Sequence, residues 1–281
     1  MLSGISHAHI TRSAKCWARA SALAIALGGV AAVSLLKTAM AEPVKVSYAE
    51  GVTHGFLELQ TLGGKNIAWG ETTQFVHGDR VTTHMVLRFT DGSLYEDTTI
   101  FTQRGTFRLI SDHQVQKGPA FKESMVRTVD SAKNEVTTRS KDKDGNERVR
   151  TDRLDLPPDL ANGLLLTVIK DIPSGGPLTT LSMAAGTPKP RIVQLDITAQ
   201  GANSVSVGNI KRKATCFVVK IKLGGLTGII APLVGKQPPD LRVWVVENEA
   251  PGFVRFEGPL EAEGPVWRIQ MAPPATFKAG P

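Results

Sequence analysis

Cysteine is nearly absent: 281 residues contain two, Cys16 and Cys216. Cys16 precedes the apolar stretch at residues 21–36, so it is not the lipid-modified cysteine that follows such a stretch in a lipoprotein. If the leader described below is removed, Cys216 stands alone. That excludes an internal disulfide and leaves stability to an apolar core. Cys216 lies in "ATCFVVKIK", which alternates like a strand and has no Cys/His motif nearby. Buried packing is therefore expected of it rather than thiol chemistry.

Signatures of catalysis are also missing. His54, His77, His84 and His113 show neither HxH nor HExxH spacing, the arrangements that set two imidazoles on one metal. A metal or hydrolytic site made from His77 and His84 with Glu71 or Glu96 would need distant strands to converge, and is the weaker reading. "DKDGNE" alternates Asp142, Asp144 and Asn146, but the glycine and glutamate required of a calcium loop fall on Glu147 and Arg153. A solvated hairpin tip explains it better. "VGKQ" lacks the earlier glycine and the hydroxyl of a phosphate loop, since Ile230 and Gln237 hold those positions. "SDH" (111–113) contains three triad residue types, yet consecutive strand residues point to opposite faces. There is no GxSxG elbow and no dinucleotide fingerprint. Accordingly no catalytic residue, no metal ligand and no cofactor is expected.

Acid is absent from residues 1–41, where Arg12, Lys15 and Arg19 precede "SALAIALGGVAAVSLL" and "TAMA". Basic leader, apolar core and A-x-A site are the three parts of a secretory signal, with cleavage expected after Ala41. The apolar core is too short for the ~20 residues of a spanning helix. No stable membrane span is expected after cleavage, and the exported protein is expected to be soluble, in the periplasm or secreted. Removing the four basic groups of the leader lowers the net charge from +7 to +3. The high pI is thus no argument for a nucleic-acid partner. "KRK" (211–213) reads as a solvated edge.

What remains is patterned as strands. "VTTHMVLRF" (81–89) sets Val81, Thr83, Met85, Leu87 and Phe89 on one face, and Asp91-Gly92 turns the chain into "SLYEDTTIF". Asp144-Gly145 marks a second hairpin. After "PSGGP" (173–177) strand patterns resume through "RIVQLDITA", "TCFVVKIKL", "LRVWVVE", "GFVRFEGPL" and "GPVWRIQM". "LGGLTGIIAPLVG" (223–235), with four glycines, reads as either a buried connection or a mobile apolar flap.

Between the two blocks lies "LDLPPDLANGLLLTVIKDIP" (154–173). Pro157 and Pro158 suit a first helical turn, Asp155 or Asp159 the positive end of the dipole, and Lys170 the other end. Leu160, Leu164, Leu165, Leu166, Val168 and Ile169 leave a thin polar stripe of Asn162 and Thr167. The pattern predicts a buried helix near 157–171. Gly163 in its interior would cost about 1 kcal/mol relative to alanine.

The order of strand block, "DLPPDLANGLLLTVIKDIP" (155–173) and "RVWVVENEAPGFVRFEGPL" (242–260), with Trp244, Val254 and Arg255 prominent, resembles a set of uncharacterised bacterial periplasmic proteins. These are similar to the half-open β-barrels of the lipoprotein-localisation carriers. The resemblance implies a curved antiparallel sheet around helices, with a hollow that accepts acyl chains.

The expected fold is α+β but mostly β: a half-open barrel packed around one central helix. Residues 42–272 are expected to form a single domain, with a flexible tail at 273–281. The expected function is non-enzymatic: binding an apolar or lipid-like ligand, or an envelope protein, in the concave face. Leu164, Leu165, Val168, Trp244 and Phe253 are the expected ligand-binding residues. The rival is a structural envelope protein with a filled core. On this reading, N-terminal sequencing of the exported protein should begin at Glu42; an N-terminus at Met1 would contradict it.

Overall fold

A computed structural model describes residues 42–141, 145–186, 189–207, 210–223, 238–247 and 250–273, all in one compact unit. The expected leader at 1–41, the hairpin tip at 142–144, the apolar run beyond Leu223 and the tail beyond Pro273 lie outside the described residues. The first block supplies β1 (Thr53–Thr61), β2 (Asn66–His77), β3 (Arg80–Phe89) and β4 (Leu94–Thr102). It continues with β5 (Arg108–Lys117), β6 (Met125–Asp130), β7 (Glu135–Lys141) and β8 (Glu147–Arg153). The second block supplies β9 (Thr179–Ala185), β10 (Arg191–Val207), β11 (Ile210–Lys222), β12 (Leu241–Val246), β13 (Gly252–Gly258) and β14 (Trp267–Ala272). The Asp91-Gly92 turn forms as its residues require. Gly92 takes φ +84°, and the Asp91 carboxylate accepts the Ser93 N–H at 2.9 Å.

These strands make one 14-stranded sheet in the order β8-β7-β6-β5-β4-β3-β2-β1-β14-β13-β12-β11-β10-β9. Each block is a meander, β1 joins β14, and neighbouring strands are antiparallel. Bulges at Leu59/Gln60, Ile100/Phe101, Ala199/Ala202 and Trp244/Val245 add local bend and twist. The sheet is strongly curved and does not close into a barrel. The expected half-open, mostly β architecture is therefore what the chain forms.

The concave face carries the core. Leu57, Leu59, Leu87, Phe101, Leu195, Ile197, Phe217, Val243 and Ile269 come from both blocks and belong to one apolar cluster. Loops add to it at Phe121, which packs edge-on to Phe89 and Trp267 with ring centroids 5.4 and 6.3 Å away. Beside Phe121, the Lys122 N–H donates to the Glu261 carboxylate at 3.2 Å, tying the two blocks together.

This topology explains the central segment. β8 and β9 are the two edges of the sheet, yet they are consecutive in the chain, so residues 154–178 must travel from one edge to the other. They do so with Leu160, Ala161, Leu164, Val168, Ile169 and Ile172 buried in the same apolar cluster as the sheet. Burial is as expected; the helix is much shorter. α1 is only Leu165–Val168, followed by a 3₁₀ turn at Ile169–Asp171.

The cause is competition from the sheet edge. The Ala161 N–H donates to the Ser182 carbonyl at 2.8 Å, and Leu160 forms a parallel bridge with Ser182 of β9. Asn162 extends this with its side chain, accepting the Ala184 N–H at 2.8 Å and donating to the Ala184 carbonyl at 2.9 Å. Gly163 has φ +60°, outside the helical region. Residues 159–162 thus cover an edge that would otherwise expose unpaired backbone groups. Pro157 and Pro158 precede that edge contact rather than start a helix.

Gly163→Ala distinguishes the two conformations. In a helix the change would stabilise by about 1 kcal/mol. Here a Cβ would lie 2.0 Å from Thr99 Oγ1 and 2.4 Å from Asp112 Oδ1, on a positive-φ backbone. Denaturant unfolding should show a loss of about 2 kcal/mol or more.

Candidate functional site

Strand alternation sends Tyr95, Asp97, Thr99 and Phe101 of β4 to the concave face, beside Leu109, Asp112, Gln114 and Gln116 of β5. Thr99 stands opposite Asp112, Asp97 opposite Gln114, and Gln114 opposite Arg127 of β6. The result is a polar island in an otherwise apolar surface. Thr99 Oγ1 donates to Asp97 Oδ1 at 2.9 Å and lies 3.5 Å from Asp112 Oδ1. Gln114 Nε2 donates to the Tyr95 hydroxyl at 3.0 Å. Gly163 of the crossing segment closes over the island, its missing side chain leaving room for these oxygens.

Burial pushes both carboxyls above the ordinary carboxylate range, and Asp112, only 1% exposed, is raised further by the charge of Asp97. The guanidinium of Arg127 draws both back down. The Thr99 hydroxyl stands between the two carboxyls, which titrate as a pair, with Asp112 raised the further of the two. Burial, then the charges of Asp97 and Asp112, also pushes the Tyr95 hydroxyl well up. Protonation of the pair relieves the repulsion that two charged carboxylates would exert beneath the crossing segment.

Further polar contacts pin the same segment. Asp159 Oδ2 accepts from the Ser182 hydroxyl at 2.8 Å, and burial raises its carboxyl. Asp171 Oδ1 accepts the N–H groups of Ser47 and Tyr48 at 2.6 and 2.8 Å; burial raises this carboxyl too, against the pull of those bonds. Lys170 Nζ pairs with Glu50 Oε1 at 2.5 Å, and Glu50 Oε2 accepts from Gln74 Nε2 at 2.8 Å. Sheet, amino-terminal segment and crossing segment are therefore joined through polar and charged side chains.

A pocket of about 230 Å³ lies where the segment leaves β8. Leu109, Leu156, Pro157, Pro158 and Leu160 make its apolar walls, with Arg108 and Ser131 as polar members. Arg108 is exposed and has no ion-pair partner among the described residues.

The five expected binding residues do not converge. Leu164 and Val168 are buried in the concave cluster, and Leu165 and Phe253 pack partly buried against it. Trp244 faces the other way. Val243 and Val245 take the concave positions of β12, leaving Trp244 on the convex side with Cys216, Val218 and Val254. There the Arg255 guanidinium sits 5.6 Å from its ring centroid. Cys216 is buried in that cluster, and desolvation pushes its thiol up. The histidines lie on the convex face as separate pairs: His54 with Glu71 at 2.8 Å and His84 with Glu96 at 2.9 Å. Among the described residues no three His, Cys, Asp or Glu side chains gather as a metal site.

Asp97 and Asp112 were not expected as a site, although a signal exists. Both hold positions in phase with Phe101 and Leu109, and Thr99, Gln114 and Gln116 share that phase, so the inward face of β4 and β5 is unusually polar in the sequence itself. Which polar residues face one another depends on register across β4 and β5, where a bulge at Ile100/Phe101 shifts the pairing.

Above the ordinary carboxylate pKa of about 4, the folded chain retains protons that the unfolded chain has lost. Stability should then fall as pH rises from there through the raised pKa values of Asp112 and Asp97. Asp159 and Asp171 act in the same direction. Asp112→Asn, whose amide donates to Asp97 without a charge, should flatten the decline in thermal unfolding temperature and raise stability at neutral pH. An unchanged slope would count against the raised acid pair.

No family model, curated protein or solved structure matches this chain.

Proposed function

We propose that this is an exported, non-enzymatic binding protein of the cell envelope, whose half-open barrel takes the end of an apolar or lipid-like ligand. The observation that carries the reading is the pocket beside Pro157 and Pro158. Its walls are leucine and proline, and Arg108 supplies an uncommitted positive charge. At about 230 Å³ it is smaller than the ~300 Å³ at which whole-ligand pockets begin. It suits a short apolar end next to an anionic group, held by a charge-assisted hydrogen bond.

The apolar core supports the same reading, since Leu109 and Leu160 belong both to it and to the pocket's lining. The acid pair fits a structural role better than a catalytic one. Its more buried member, Asp112, is 1% exposed and lies beneath Gly163 of the crossing segment.

A second reading is favoured by one observation: Leu164 and Ile169 are 1% and 0% exposed, so the middle of the concave face is filled by the chain itself. On that reading the protein is an envelope scaffold that binds a protein partner, and no ligand enters.

Native mass spectrometry of protein purified from its host, with lipid extraction, separates the two. The binding reading expects a co-purifying amphipathic anion. It also expects saturable uptake of a fluorescent fatty acid that Arg108→Glu weakens about tenfold or more, as befits loss of a charged hydrogen bond. No bound species and no saturable uptake would overturn it in favour of the scaffold.

A further inference from the structure

The hairpin of β10 and β11 outruns both of its neighbours. β9 pairs with β10 only over residues 191–197, and β12 pairs with β11 only over 214–219. Beyond these, among the described residues, 204–207 and 210–213 pair only with each other, as a two-stranded ribbon. Alternation puts Lys211 and Lys213 on one face beside Ser206 and Ser204. Ile210 and Arg212 take the other face beside Val207 and Val205. The ribbon is anchored at its base, because Val205 is buried in the convex cluster that also holds Cys216, Val218 and Trp244.

The composition of the ribbon is one-sided. Between Asp196 and Asp240 the chain has no acidic residue. The acids at the base of the hairpin are engaged: Asp196 with Lys222 at 3.7 Å, and Glu247 with the Thr215 hydroxyl. No acid pairs with Lys211, Arg212 or Lys213 among the described residues, and all three are exposed. Beside them Ile210 is 56% exposed, an apolar side chain at the end of the ribbon.

We propose that this ribbon docks on an anionic phospholipid bilayer. The ribbon meets the surface end-on, with Lys211 and Lys213 on one face and Arg212 on the other reaching lipid phosphates, while Ile210 enters the boundary between headgroups and acyl chains. Charge complementarity alone would suit any polyanion. The exposed isoleucine, and the lack of an aromatic side chain in residues 204–213 for stacking on a base, favour a bilayer over nucleic acid. The docking is peripheral, driven by surface charge and shallow insertion, and it does not depend on whether the half-barrel holds a ligand.

The test is co-sedimentation of the protein recovered after export with vesicles of phosphatidylcholine alone, or of phosphatidylcholine and phosphatidylglycerol in equal parts. Binding is expected only to the anionic vesicles and should weaken with salt. At about 1 kcal/mol for each cation near such a surface, the triple variant Lys211→Gln, Arg212→Gln, Lys213→Gln should partition on the order of 100-fold less. Ile210→Ser should lower vesicle binding on the order of fivefold while leaving retention on heparin unchanged. The control is Arg148→Gln with Arg150→Gln on the β7–β8 hairpin, which should change little. If the control loses as much as the triple variant, binding follows net charge and the proposal fails. It fails equally if Ile210→Ser leaves vesicle binding intact, which would make the ribbon a general polyanion contact, or if the protein stays in the supernatant.

Discussion

An open sheet whose two edges are joined by consecutive chain must have something crossing its concave side, and most of this structure follows from that constraint. The crossing segment begins where β8 ends and finishes where β9 begins. It carries enough leucine, valine and isoleucine to complete the core of both strand blocks. It also shields one edge, because residues 159–162 lie along β9 and match its backbone groups through Ala161 and the Asn162 amide. The opposite edge at β8 is guarded differently, by charged side chains such as Arg148, Arg150 and Asp152.

Polar groups within the concave side are the counterpart of that crossing. A purely apolar interior would let the segment slide; the side-chain bonds of Asp159, Asn162 and Asp171 fix where it lies. The Asp97–Asp112 pair acts oppositely, since burial and mutual repulsion disfavour two charged carboxylates there. The segment is thus held by several satisfied polar contacts and rests on one that depends on protonation. The convex face has its own small apolar cluster around Trp244, so β11 and β12 are buried on both sides.

Much of this was legible in the sequence, and the exceptions share a cause. Residues 81–89 alternate cleanly and turn at Asp91-Gly92, so their strands and faces could be read directly. "VWVV" could not be assigned a face, because an unbroken apolar run has no period-2 signal; register alone turns Trp244 away from the crossing segment. The central stretch had a helical distribution of leucines, and its burial was read correctly. Its conformation was not, because long-range pairing to Ser182 and Ala184 outweighs local propensity. The acid pair was hidden for a similar reason: Asp97 and Asp112 lie far apart in sequence and meet only through the pairing of β4 with β5.

Hydrogen exchange at single-residue resolution addresses the crossing segment most directly. If residues 159–162 are a pinned edge cover, the amides of Ala161 and Ala184 exchange as slowly as those of the central strands, through global unfolding. Should Ala161 and Ala184 exchange like a surface loop while residues 157–171 show continuous helical protection, the account of how this half-barrel is closed would be wrong.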